Sequence, residues 1–173
     1  MLPAPTTQAI YRHPKHVPTL VVAFRRPDLT SKLIDRLREI QVQTLFVSVD
    51  APSTPNERVL VEAVLRVIQS EIDWACEVTV NRRTINHGLR VSMTESIDWF
   101  FSHVSEGIIL EDDCVPSIDF FSFCADLLPR FRDNPRVFQV AGDNSADVSI
   151  AQDWSYCFVR YPHIWGWATW KSA

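Results

Sequence analysis

Three adjacent acids, Glu111, Asp112 and Asp113, stand directly behind the apolar run Ile108-Ile109-Leu110. Carboxylates this close repel one another. At the end of a buried element their crowding raises one or more pKa values unless a cation neutralises them. A cluster of oxygen ligands suits a hard divalent ion, Mn²⁺ or Mg²⁺, which can bridge a protein carboxylate to a phosphate. The alternative for such a triplet is a solvated turn. Its setting, IILEDDCVP, improves the odds of chemistry. The apolar strand delivers the acids rigidly, and Pro116 stops the segment from continuing as a helix. Cys114, a poor ligand for a hard ion, reads as packing.

Two further apolar runs end in residues of functional type. TLVVAF, residues 19–24, is followed by Arg25 and Arg26, and TLFVSV, residues 44–49, by Asp50. Guanidinium groups pair well with phosphate oxygens. The polar loop NRRTINHG, residues 81–88, adds Arg82, Arg83, Asn86 and His87, with a solvated loop as the equal alternative for the arginines. His87 has no recognisable nucleophile partner and reads as a loop hydrogen-bonder. His103 falls on the polar side of a helix. Asp143 and Asn144 follow a later strand, where contact with a ligand and a turn or capping role are both open. Trp165, Gly166 and Trp167 place flat rings around a glycine, which permits stacking on a sugar face; packing in the core is the alternative.

The elements that position these residues alternate in type. A buried strand spans Thr19 to Phe24. A helix follows with Leu29, Leu33, Leu37 and Ile40 on one face and Asp28 at its N-cap. A second strand runs from Thr44 to Val49. The next helix has Thr54 as cap, Pro55 in first position and Glu57 closing a capping box, with Leu60, Val61, Val64, Leu65 and Ile68 as its apolar face. CEVTV, residues 76–80, is a weaker strand. A third helix carries Leu89, Met93, Ile97, Phe100 and Val104. Gly107 opens the fourth strand, which runs into the acids. Ser117 caps a helix with Phe120, Phe121, Cys124, Leu127 and Phe131, and Val137 to Val140 is a fifth strand. This alternation, with tight connections, predicts an α/β fold with a mostly parallel sheet flanked by helices. In such a sheet, ligands bind outside the carboxyl ends of the strands, where Arg26, Asp50 and the acidic triplet fall.

The segments AFRRPDLTSKLIDRL, FVSVD, IILEDDCVPSIDFFSFC and VFQVAGDNS, in that order, resemble the nucleotide-sugar-binding half of a GT-A-fold glycosyltransferase. The likeness is nearest to the N-acetylglucosaminyltransferase I type and looser to the inverting family 2, and it covers roughly residues 19 to 170. It implies an enzyme that moves a sugar from a nucleotide-diphosphate donor, UDP-linked by preference, to a saccharide or glycan hydroxyl with a divalent metal and inversion. It implies Asp113 as the metal ligand in a DXD-like motif, Asp112 on the donor sugar and Glu111 on the ribose. Asp50 would read the uracil edge, Arg26 and Arg25 would reach the diphosphate, and Ala23 and Phe24 would line the base pocket. Asn86 would belong to a donor-site loop. Asn144, Trp165, Gly166 and Trp167 would face the acceptor, with Asp143 a candidate for the catalytic base. In the enzymes it resembles, that base lies beyond the Gly-Trp segment, so the expectation is a domain truncated at its carboxyl end with an incomplete acceptor part.

Composition narrows the rest. The chain has 173 residues, 46% hydrophobic and 22% charged, with six tryptophans, ten phenylalanines and four glycines. This predicts a loose Pro-rich lead-in over residues 1–18, not a signal peptide, and one well-packed domain over 19–173. A net charge of −4 argues against nucleic acid as partner, and no apolar stretch approaches the length of a membrane span. Four cysteines without C-x-x-C spacing read as reduced thiols in a cytoplasmic protein. A dinucleotide-binding fold requires G-x-G-x-x-G after the first strand, a P-loop requires G-x-x-x-x-G-K-[ST], and neither is present. A sugar nucleotidyltransferase would carry a Gly-rich loop in place of FRRPDL. A receiver-type domain would carry acids there. A non-catalytic nucleotide- or carbohydrate-binding module remains the alternative of another class.

Overall fold

The structure, a computed structural model, describes residues 12–143 and 155–173. Strands β1 (Thr19–Ala23), β2 (Thr44–Val49), β3 (Glu77–Arg82), β4 (Glu106–Glu111), β5 (Gln139–Ala141) and β6 (Trp167–Trp170) form one sheet in the order β3-β2-β1-β4-β6-β5. The first four strands of that order are mutually parallel, and β6 runs antiparallel to both β4 and β5. Helices α1 (Pro27–Ile40), α2 (Pro55–Glu71), α3 (Gly88–His103) and α4 (Ile118–Phe131) flank the sheet. The result is an α/β fold with a mostly parallel mixed sheet, compatible with a Rossmann-like architecture.

Two cores lie on opposite faces. Val21, Leu45 and Val47 meet α1, α2 and α4 through Leu33, Ile34, Val61, Val64 and Phe121. Leu20, Phe46 and Ile109 meet α3 through Phe100 and Phe101. Alternate residues of β1, β2 and β4 thus feed opposite cores, which is why these strands read as unbroken apolar runs. The crossover helices α1 and α2 carry the chain from β1 to β3, and α3 then brings it back across the other face to β4.

Several local expectations need adjusting. The N-cap of α1 is Arg26, without a side-chain cap, and Asp28 sits inside the first turn, where its charge favours the positive end of the helix. Thr54 does cap α2, accepting from Glu57 N–H, but Glu57 reaches back to Ser53 rather than to the cap residue. Leu89 is 73% exposed, and α3 instead buries Ser92 and Ser96 beside Phe100 and Phe101. The Ser96 hydroxyl hydrogen-bonds Ser48 Oγ at 2.7 Å and the Ser92 carbonyl at 2.5 Å. Small, mutually satisfied side chains let the helix lie close on β2, a face that an apolar pattern does not show. The aromatic tail, without periodicity in the sequence, supplies β6. It slots between β4 and β5, with Trp170 buried and its indole N–H donating to Leu128 O at 3.0 Å.

At the amino end of β4, Glu106 is buried and clamped by two arginines. Arg132 holds it bidentately at 2.8 and 2.9 Å, and Arg12 approaches Oε1 at 2.5 Å. Beside it Gly107 is obligatory by space: a Cβ there would lie 2.4 Å from the Phe100 ring and 2.6 Å from Pro18 O. The four cysteines are unpaired, and no helix among the described residues is long and apolar enough to cross a membrane.

Candidate functional site

The sheet order reverses at β1: β2 and β3 lie to one side, β4 to the other. At such a topological switch the connecting helices leave in opposite directions, and a crevice opens outside the strand ends. Arg26 after β1 and the acids after β4 stand at this switch, at the carboxyl ends of their strands.

Four backbone and side-chain ties hold these strand tips together. Asp112 N–H donates to Val22 O at 3.1 Å, and Phe24 N–H donates to Asp112 Oδ2 at 3.2 Å. The Asp112 side chain is only 1% exposed, and its Oδ1 pairs with Arg26. Arg26 Nη1 also lies 2.6 Å from Asp113 Oδ2. The guanidinium spans the tips of β1 and β4. Partial burial works against its charge, but Asp112 and Asp113 outweigh that and hold Arg26 above its ordinary pKa.

The acidic triplet does not converge. Asp112 turns inward to the Phe24 amide, Asp113 is 44% exposed beside Arg26, and Glu111 ends the strand half-buried. Burial pushes the Glu111 carboxyl above its ordinary pKa, and the charge of Asp113 pushes the same way against Arg26. Among the described residues no three His, Cys, Asp or Glu side chains are grouped to hold a metal. Asp113 is the exposed carboxylate of the three, and an accessible oxygen fits a hard ion that takes one protein ligand and fills its shell with phosphate oxygens and water; the Cys114 thiol, 4.0 Å from Asp113 Oδ1, is a poor donor to such an ion. Cys114 packs against the core, and burial raises its thiol pKa.

Beside the crevice, Asp50 is buried at the tip of β2. Its Oδ1 accepts from Ala51 N–H at 2.9 Å and from His87 N–H at 3.4 Å. Asn86 donates to Ala51 O at 2.6 Å and accepts from Gly88 N–H at 3.1 Å. Asp50 and Asn86 therefore bind the loop after β3 to the loop after β2. Arg83 and His87 both pair with Glu95, whose carboxyl is held below the ordinary range chiefly by His87 and then by Arg83. Arg82 pairs with Glu62 instead. Ala23 is buried at the end of β1 and Phe24 half-buried beyond it. Arg25, by contrast, turns away from the acids to Glu57 at the start of α2, with its guanidinium 5.5 Å from the Phe24 ring. It does not join Arg26 at the crevice.

The far end of the same edge is built by β5 and the start of β6. Gly142 N–H donates to Gly166 O at 3.0 Å, and Gly166 has φ +74°, a conformation that favours glycine. Trp165 is 76% exposed, whereas Trp167 packs beside the core under α3, so the two rings have different roles. Asp143 Oδ2 lies 2.7 Å from His163 Nδ1. Asn144 lies outside the described residues. His103, exposed as expected, rests against the Trp99 and Phe46 rings.

Sequence reasoning passed over His163 and Glu95. Neither has a local signal: each acquires its partner only when the sheet brings separate segments together. Compared with known proteins, the chain matches no protein-family model and no curated protein.

Proposed function

We propose that this chain is a GT-A-type glycosyltransferase domain that binds a nucleotide-diphosphate sugar in the crevice between β1 and β4 and passes the sugar to a hydroxyl acceptor. The observation that carries this reading is the Arg26–Asp112–Asp113 cluster at the topological switch of a mostly parallel sheet. A guanidinium and an exposed carboxylate side by side can take the two halves of a metal-diphosphate: the arginine one phosphate oxygen, the carboxylate the cation.

Asp113 would hold Mn²⁺ or Mg²⁺. Bound there, such an ion supplies Lewis-acid stabilisation of the departing diphosphate. Arg26 would release Asp113 and turn to the phosphates while keeping buried Asp112 as its counter-ion. Asp112, fixed by the Phe24 amide, sets the height of the β4 tip against β1. The rigid rim formed by Asp50 and Asn86 bounds the side on which the base of a UDP donor would rest, with Ala23 and Phe24 as its apolar floor. Trp165, exposed beyond β4, offers a flat face to an acceptor sugar.

Thermal shift with UDP, GDP, NAD and UDP-sugars, each with and without Mn²⁺, tests the reading. A ligand at 100 times its Kd stabilises by about 2.7 kcal/mol. A shift with UDP or a UDP-sugar that requires Mn²⁺ is expected. A shift with NAD alone, or one indifferent to the metal, would contradict it.

A further inference from the structure

A cavity of about 540 Å³ lies between α4 and the edge strand β5, and its lining also draws on residues 155–160. Its walls are aromatic. Phe120, Phe123 and Phe131 line it from one face of α4, and Tyr156 and Phe158 from the later segment. These rings brace one another edge to face: the Tyr156 centroid stands 6.3 Å from Phe123, 6.0 Å from Phe131 and 5.8 Å from Phe158. Phe120 is held from the strand side, since a Cβ at Gly142 would lie 2.5 Å from its ring. The walls are therefore packed, yet apolar surface on the lining stays open to water. Phe138 and Val159 are each 66% exposed and Phe158 57%. Apolar surface gathered in one concavity of this volume is the mark of a small-molecule site.

The charges on the lining favour one sign of ligand. Arg136 and Arg160 both line the cavity, and among the described residues neither pairs with a carboxylate; Arg160 rests over the Tyr161 ring at 6.0 Å. The acids there are already engaged. Asp143 Oδ2 faces His163 Nδ1 at 2.7 Å, and Asp119 sits in the first turn of α4, whose positive end favours it. A guanidinium is always charged and takes a carboxylate or a phosphate through paired N–H donors.

We infer that this cavity is a binding site for a small organic anion with an aromatic body, the rings holding the body and Arg136 and Arg160 the carboxylate or phosphate. This inference does not rest on the glycosyltransferase reading: the site is separate from the Arg26 cluster and shares no residue with it.

The test titrates the full chain calorimetrically with probes that share one body: 2-naphthoate, 2-naphthyl phosphate, 2-naphthylmethanol and 2-naphthylmethylammonium. Either anion is expected to bind with one probe per chain and roughly 10-fold or more tighter than the alcohol, with the ammonium weakest. The tighter of the two anions identifies the head group. Arg136→Ala combined with Arg160→Ala is expected to bring the anions down to the affinity of the alcohol, whose own binding persists. Both arginines are exposed, so the fold is expected to survive their removal. Arg26→Ala is expected to bind the anions as tightly as the unsubstituted chain. No saturable binding, equal affinity for anion and alcohol, the ammonium as tightest ligand, or anion binding indifferent to the paired arginine variant would overturn the inference. So would a loss of binding in Arg26→Ala, which would put the probe at the β1–β4 crevice. The Mn²⁺-dependent UDP shift is read separately, and its presence or absence leaves these outcomes unchanged.

Discussion

Arg26 Nη1 stands 2.6 Å from Asp113 Oδ2 while the same guanidinium pairs with buried Asp112. One positive charge therefore serves two carboxylates of different character, one sealed from water and one open to it. The sealed pair fixes the tips of β1 and β4 to each other. The open pair can be exchanged for a ligand at small cost, because an exposed ion pair contributes little.

Removing Arg26 exposes this division. In Arg26→Ala, Asp112 keeps its bond from the Phe24 amide but loses its counter-charge, and a stability loss of about 1–3 kcal/mol is expected in urea unfolding. Arg26→Ala combined with Asp112→Asn is expected to recover most of that loss, since the uncompensated charge is then gone. Equal losses in the single and double variants would show that Arg26 acts elsewhere.

Glu111 makes the site sensitive to pH. Burial first, and the charge of Asp113 next, raise its pKa in the folded chain. The folded state thus holds this proton to higher pH than the unfolded state does. The group costs nothing when both states are protonated, and its cost grows as pH rises through the ordinary carboxylate value towards the raised one. Glu111→Gln is expected to raise Tm by about 1–3 °C at pH 7.5, from under about 1 kcal/mol after solvent screening, with the gain fading towards pH 4. A gain that increased in acid would contradict this.

Glu106 tests the opposite end of β4. Its carboxylate is 5% exposed between Arg12 and Arg132, whereas the two arginines are 24% and 50% exposed and regain hydration when released. Glu106→Ala is expected to cost about 2 kcal/mol in chemical unfolding, below the 3–5 kcal/mol range for breaking a fully buried pair. The Mn²⁺-dependent UDP shift is expected to survive in that variant, because the clamp lies at the amino end of the strand.

Three strands of the parallel part, β1, β2 and β4, were legible because each is an apolar run closed by charge or a breaker: Thr44–Val49 is found at the bounds its pattern predicts, and β1 within one residue, whereas the weaker pattern over 76–80 is found as the largely unburied β3, Glu77–Arg82. The tips of these strands were legible for the same reason, since polar residues directly after a buried run must fall at the sheet edge. Orientation within the edge was not. Arg25 and Arg26 are equivalent in sequence, and only the start of α1 sends one to Glu57 and the other to the acids. The buried face of α3 escaped because Ser92 and Ser96 pack by hydrogen bonding to β2. The antiparallel β6 escaped because its tryptophans divide between two cores and leave no single periodicity. Asp143 and His163 escaped as a pair because nothing in a chain marks two residues that meet across neighbouring strands.

Direct detection of the cation tests the central claim. Free Mn²⁺ has a sharp paramagnetic resonance signal that weakens on binding. Adding the chain with UDP is expected to reduce that signal, and Asp113→Asn, which keeps the side-chain shape but removes the charge, is expected to leave it close to that of Mn²⁺ with UDP alone. An equal reduction by both proteins, or none by the unsubstituted chain, would contradict the assignment of the β4 tip as the place where metal and diphosphate meet.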